Sequence, residues 1–265
     1  LVGQLGDGTT VGRLSPPSVD IPNLGNTTIV SAGANHSCAI SSNELRCWGA
    51  NKYGQLGDGS TTDRLSPGPA ILDAVTAASA DNGYSCAIVS GAMRCWGHNF
   101  SGELGDGTTM GRWSPGSNIS GLGTVSLIGT GSVHACAVDV DEGGMHCWGD
   151  NTYGQLGDGT TTGHTRPGVA VLKGVKAIGL AFEDHHTCAV TSNGNVRCWG
   201  SNELGQLGDG TTSNRALPDG PDVVQGAKAL AAGFQYTCAL LEAGTVKCWG
   251  RDYGATPVEV STFCP

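Results

Sequence analysis

One six-residue block, Gly-Gln/Glu-Leu-Gly-Asp-Gly, begins at Gly3, Gly54, Gly102, Gly154 and Gly205, in steps of 51, 48, 52 and 51 residues. A Cys-Trp-Gly triplet keeps the same rhythm, beginning at Cys47, Cys95, Cys147, Cys198 and Cys248. Ahead of each triplet stands Cys-Ala-Ile/Val/Leu, at 38–40, 86–88, 136–138, 188–190 and 238–240. Five copies of a unit of about 50 residues thus fill almost the whole chain, which makes it a repeat array before anything else is said of it. A catalytic loop normally occurs once. A motif present five times reads as scaffold.

Within a unit the pattern is β. Short runs such as AKALAAG, YTCALLEAG and TVKCWG are bordered by glycine and are too short for ordinary helices. They read as successive hairpins. A proline follows each Gly-Asp-Gly loop, at Pro16, Pro67, Pro115, Pro167 and Pro218. It opens one more extended segment, which suits an edge strand because proline cannot donate to a ladder. Four strands per unit at this period predict an all-β chain, a β-propeller of four-stranded blades. The expected organisation is one repeat domain over 1–265, with units at 3–53, 54–101, 102–153, 154–204 and 205–254. Residues 255–265 would be a closing or spare strand.

Ten of the eleven cysteines fall into local pairs: Cys38/Cys47, Cys86/Cys95, Cys136/Cys147, Cys188/Cys198 and Cys238/Cys248. Each pair spans one hairpin, and facing residues of antiparallel strands lie within reach of a disulfide. A zinc site would need four ligands together, and Cys-x-x-Cys knuckles are absent. Buried free thiols are the other alternative. Hairpin disulfides are the reading the spacing favours, and they imply an oxidising compartment, extracellular or periplasmic. Cys264 is left over, unpaired or intermolecular.

Composition narrows the function classes. The net charge is −9 and no run of Lys or Arg occurs, which argues against nucleic acid. No apolar stretch is long enough for a helical membrane span. The first residues, LVGQLGDG, lack the basic start and apolar run of a signal peptide. The Gly-Asp-Gly-Thr-Thr loop has neither the Lys of a phosphate loop nor converging carboxylates for calcium, since each copy brings one Asp (Asp7, Asp58, Asp106, Asp158, Asp209). It reads as an Asp-stabilised turn. Arg13, Arg64, Arg112 and Arg215 follow it, with His164 in the remaining unit, each placed to pair with an Asp.

The order of motifs resembles the regulator of chromosome condensation repeat family, in a cysteine-rich bacterial secreted form. The residues that carry the likeness include His186-Thr187-Cys188-Ala189-Val190, Gly194 to Gly200 (GNVRCWG) and Gly154 to Gly159 (GQLGDG). The resemblance implies a β-propeller, most often of seven blades. It implies little about function, because members include an exchange factor, a plant ultraviolet photoreceptor, β-lactamase inhibitors and secreted proteins of unknown role. Trp48, Trp96, Trp148, Trp199 and Trp249 are the triplet residues, expected between blades, and Trp113 alone is extra. Two departures stand out: the chain begins at the loop block, and after Arg251 that block is missing while Pro257 keeps its strand.

If the repeats build the scaffold, specificity sits where they differ. The turns before the Cys-Ala block vary most: 34–36, 81–84, 132–134, 182–186 and 234–236. They predict a recognition rim that includes Tyr84, His134, Phe182, Asp184, His185, Phe234 and Tyr236. No catalytic set, metal site or cofactor motif is expected. The reading is a non-enzymatic extracellular module that binds a protein or glycan. The alternatives are a structural subunit joined to copies of itself through its terminal strands and Cys264, and a protein inhibitor of an enzyme.

Overall fold

The structure is a computed structural model that describes residues 2–15, 20–141, 143–181 and 184–260. Five antiparallel sheets follow one another along the chain. Blade I holds β1 (Thr27–Ala32), β2 (His36–Ser41) and β3 (Glu44–Gly49). Blade II holds β4 (Val75–Ala80), β5 (Tyr84–Val89) and β6 (Ala92–Gly97). Blade III holds β7 (Val125–Thr130), β8 (His134–Asp139), β9 (Gly144–Gly149) and the short β10 (Leu172–Lys173). Blade IV holds β11 (Val175–Leu180), β12 (His186–Thr191) and β13 (Val196–Gly200). Blade V holds β14 (Ala227–Gly233), β15 (Tyr236–Leu241), β16 (Val246–Gly250) and β17 (Gly254–Glu259).

The expected four-stranded blade is met in full only at III and V; the other three sheets have three regular strands. In blades I, II and IV the segment after the proline touches the third strand through one or two backbone bonds, such as Leu45 N–H to Leu72 O and Ile119 N–H to Met93 O. Prolines and glycines crowd that segment, as in Pro67-Gly68-Pro69. Proline supplies no donor and glycine no packing side chain, so the ladder does not extend. Pro16 lies outside the described residues.

Five disulfides close within the sheets, Cys38–Cys47, Cys86–Cys95, Cys136–Cys147, Cys188–Cys198 and Cys238–Cys248, with Cα–Cα distances of 4.1–4.2 Å. In every case the two cysteines face each other in register. The core lies between blades rather than inside one. Strands alternate sides, so Cys38 and Ile40 of blade I pack with Val75, Ala87 and Trp96 of blade II, and the same grouping recurs at each later junction. Four of the triplet tryptophans are fully buried there.

The Gly-Asp-Gly loops run from the third strand of one blade over the tryptophan of the next. Gly57 shows why the residue must be glycine. Its φ is +74°, and a Cβ there would stand 2.6 Å from Nε1 of Trp96. In each loop the Asp accepts from the N–H two residues on, as Asp58 does from Ser60 and Asp158 from Thr160. Its other oxygen meets the following cation: Arg13, Arg64, Arg112, Arg215 or His164. These are turns.

Candidate recognition face

Three of the four junctions between successive blades are tied by the same polar device. The loop carbonyl of Gln55 accepts from the indole N–H of Trp96 at 2.9 Å and from the hydroxyl of Ser85 at 2.9 Å. Because the Ser85 proton is spent on that carbonyl, Nε2 of His36, 2.8 Å away, donates to the Ser85 oxygen. His134 reaches Thr187 and His186 reaches Thr237 across their junctions in the same way, at 2.9 and 2.8 Å. Between blades II and III the hydroxyl is missing, since Ala135 occupies its place. There Tyr84 replaces the histidine, and its hydroxyl donates to the carbonyls of Gly131 and His134.

This corrects part of the expected rim. Tyr84, His134 and Asp184 are buried and bind blade to blade, so none of them can touch a ligand at the surface. Burial pushes the His134 imidazole down to about 3 and that of His36 to about 4, keeping both neutral. Asp184 accepts from Nδ1 of His186 at 2.8 Å. Burial would raise its carboxyl, but the bonds from His186, the His185 N–H and Gln206 outweigh burial and hold it below the usual carboxylate range. Asp184, His186 and Thr237 have the spacing of an acid–base–nucleophile triad, yet His186 and Thr237 are both fully buried. No substrate carbonyl can reach the hydroxyl, and the set is a structural tie. Phe182 and Cys264 lie outside the described residues.

The remaining expected residues are accessible. His185 is half-exposed, and Phe234 and Tyr236 are exposed. Around them the structure gathers side chains that the sequence did not single out. The turn joining the first two strands of a blade sits beside the end of its third strand, because His36 pairs with Gly49 and so on round the array. Residues just after the third strand therefore share one face with those turns. Tyr53, His98 and Phe100 meet there across the I–II junction, with ring centroids 5.1 and 4.3 Å apart, and Phe100 is 73% exposed. Tyr153 stacks on His185 at 4.9 Å across the III–IV junction. Gln155 donates to Asp150 at 2.7 Å beneath that stack. Arg251 lies over the ring of Phe234 in blade V, near Tyr253.

The same face dips at its centre. The ends of the first strands from all five blades converge on a depression of about 430 Å³, lined by Ser31, Ser79, Asp81, Thr130, Leu180 and Ala232 among others. Aromatic side chains on successive packed blades around a polar hollow are the kind of surface that anchors a partner. Among the described residues no group of three or more His, Cys, Asp or Glu is placed to hold a metal.

The rigidity of the face comes from an asparagine that sequence reasoning passed over. Asn51, Asn99, Asn151 and Asn202 are fully buried at the start of each loop. Each accepts from the N–H of the loop leucine and donates to two loop carbonyls; Asn151 bonds Leu156 at 2.9 Å and Thr160 and Thr162 at 3.1 Å. The signal was present as an Asn three residues before the first Gly of each of these four loops.

Comparison with known proteins agrees with this geometry. The pattern described as "Regulator of chromosome condensation (RCC1) repeat" matches residues 28–55, 125–155, 184–206 and 227–254, and a second form of it matches 142–190; together they cover about half of the chain. The chain is 30% identical over 209 residues to the E3 ubiquitin-protein ligase HERC2 of Mus musculus, covering 76% of this chain and 4% of that protein. It is 29% identical over 200 residues to the ultraviolet-B receptor UVR8 of Arabidopsis thaliana, covering 72% and 45%. It thus spans less than half the length of either relative. Among solved structures, human WBSCR16 superposes with a TM-score of 0.74 at 20% identity, over 90% of this chain and 68% of that one. Prp20p of Saccharomyces cerevisiae gives 0.70 at 22% identity, over 89% and 66%. Similarity at that level carries the fold alone. Motif, junction and superposition agree, and the chain belongs to the regulator of chromosome condensation repeat family.

Proposed function

We propose that this chain is a non-enzymatic, extracellular recognition module that engages a protein partner through its aromatic face. The observation that carries the reading is the set of exposed rings, Tyr53, Phe100, Phe234 and Tyr253, with the half-buried Tyr153, presented by several blades around one polar depression. Such residues bring large contact area at small entropic cost and dominate binding energy at interfaces. The oxidising location rests on the five disulfides. Among the described residues no helix is long and apolar enough to cross a membrane. The solved structure of Prp20p is titled for that protein's binding to Gsp1p and histones. Protein recognition is the same class of work, with a different partner expected here.

Affinity capture from the extracellular medium of the source cells tests the proposal. The wild type should retain a partner that a Tyr53→Ala, Phe100→Ala, Tyr153→Ala triple variant loses. A Glu242→Ala variant, on the hairpin tips at the far end of the strands, should keep it. Equal retention by the triple variant would sink the assignment, and binding to a glycan array in place of a protein would redirect it.

A further inference from the structure

Behind the first glycine of the loops that follow blades I to IV stand Gln55, Glu103, Gln155 and Gln206, all buried. One side-chain oxygen of each accepts from the N–H two residues back, at 2.8–2.9 Å. In the three glutamines that bond fixes the orientation of the carboxamide and leaves Nε2 to find an acceptor elsewhere. Two of the units supply one themselves. Gln155 donates to Asp150 at 2.7 Å, and Gln206 donates to Asp184 at 3.1 Å and to Ser201 at 3.3 Å. Glu103 has no such donor and meets His98 instead.

Blade I supplies no acceptor. Ala50 holds the position of His98, Asp150 and Ser201, directly after the Cys-Trp-Gly triplet, and Ala34 holds that of Asp184, two residues before the junction histidine. The Gln55 carboxamide is left with its single bond from the Tyr53 N–H, although the residue is only 4% exposed. It lines a cavity of about 370 Å³ on the turn-bearing face, together with both alanines. A buried amide donor without an acceptor is costly. The backbone cannot swing it away, because the Gln55 carbonyl is held by Trp96 and Ser85. Tyr53, Asn35, Asn82, Lys52 and Asp63 complete the polar and aromatic lining. Val2, which holds the place of Tyr53 one loop earlier, lines it as well, so the cavity lies between successive loops over blade I. What opens it is the pair of alanines inside the unit.

We propose that this cavity binds one ring of a neutral saccharide, with a sugar hydroxyl oxygen meeting Gln55 Nε2 where Asp150 and Ser201 meet Gln155 and Gln206. Each hydroxyl both donates and accepts, and the carboxamides of Asn35, Gln55 and Asn82 offer both roles. The Tyr53 ring gives the apolar side of a pyranose a surface to lie on. One Lys and one Asp balance, which suits an uncharged ligand better than an anion or a cation. The volume falls at the small end of the range for ligand sites, about 300–1,000 Å³. The inference goes beyond protein recognition, because it shares Tyr53 with the aromatic face and uses none of the other rings.

Titration of the whole chain with the methyl pyranosides of glucose, galactose, mannose and N-acetylglucosamine tests this, read from side-chain amide signals by NMR. At least one of these sugars should shift the Gln55 Nε2 signal saturably, while that of Gln155, already bound, stays in place. Glycerol and acetate should leave Gln55 unmoved. Ala50→Asp gives Gln55 the internal acceptor that Gln155 has; the variant should melt like the wild type and bind the sugar at least about tenfold more weakly. Asn82→Ala, at an exposed position, should weaken the same sugar and serves should Ala50→Asp melt early. A Gln55 signal that none of the sugars moves overturns the proposal. So does a folded Ala50→Asp variant that binds undiminished, or acetate that binds where the sugars do not. A Phe100→Ala, Tyr153→Ala variant should keep the sugar while it weakens the protein partner, which separates failure here from failure of the recognition reading.

Discussion

Replacing Asn151 with alanine should test how the loops, and hence the proposed recognition face, are held. The side chain is fully buried and serves three backbone groups. The Leu156 N–H is the costly one to abandon, because it is buried and no water replaces the carboxamide oxygen. A buried donor left unpaired costs about 1–3 kcal/mol. The carbonyls of Thr160 and Thr162 sit in an exposed stretch and regain water, so each loses only about 0.5–1 kcal/mol. The sum is about 2–5 kcal/mol, or roughly 4–20 °C in melting temperature for a chain of this size. The exposed partner of the same loop gives the control. His164→Ala removes the pair with Asp158 and should cost under about 1 kcal/mol. Asn151→Asp refines the argument: it keeps the acceptor for Leu156 but aims a carboxylate at two carbonyls and at Asp158, so it should be at least as harmful as alanine. Calorimetry with disulfides intact reads the melting temperature, and hydrogen exchange at 156–164 reads the loop itself. A melting temperature for Asn151→Ala within about 1 °C of wild type, or a larger effect from His164→Ala, would refute the reasoning.

Acid should loosen the junctions before it touches the carboxylates. The folded pKa values of His36 and His134 lie below the ordinary value of 6.5, so the unfolded chain takes up protons first and stability is lost as pH falls from about 6.5 toward about 4 and about 3. At pH 5 each contributes a loss of about 2 kcal/mol; melting curves between pH 7 and 5 should therefore be shallower for His134→Gln, and a parallel slope would contradict the buried neutral imidazole. Glycine positions should split by environment. Gly57→Ala meets both Trp96 and a positive φ and should cost about 2 kcal/mol or more, while Gly59→Ala, with φ +80° and open space around it, should cost only about 1 kcal/mol. Paired replacement of Cys188 and Cys198 by alanine should cost about 2–3 kcal/mol on the chain-entropy model, measured by denaturant unfolding. A non-reducing peptide map of the natural protein should return the five local bridges.

The repeats and the hairpin cysteines were legible because they recur in register and because a strand pair leaves a disulfide one geometry. The buried side of the variable turns was not legible. Variation at Tyr84 looked like a surface signal, but it answers a change in the next blade, where Ala135 removes the hydroxyl that a histidine would need. Asp184 likewise differs from its counterparts because it steadies His186 from below. Sequence variation at a blade junction is compensated across it, so it mimics the variation of a binding surface. The aromatic face itself was half visible. His185 and Phe234 were found in the turns, whereas Tyr53, Phe100 and Tyr153 lie in the loop block, whose repetition marked it as scaffold. Only the register that sets the third strand's end beside the turns shows that both belong to one surface.

Every disulfide of the described chain begins and ends in the same sheet. A gene that duplicates or deletes one unit therefore moves both halves of a bridge together and strands no thiol. The covalent bonds travel as cargo of the unit, and what remains to be matched is one hydroxyl, one ring and one carbonyl at the seam. That leaves the number of blades free to drift over evolutionary time while oxidative folding of each blade stays a local task. Under mechanical load the same partition would let seams part while the blades survive, so the array could fan open and reclose without any exchange of sulfur partners.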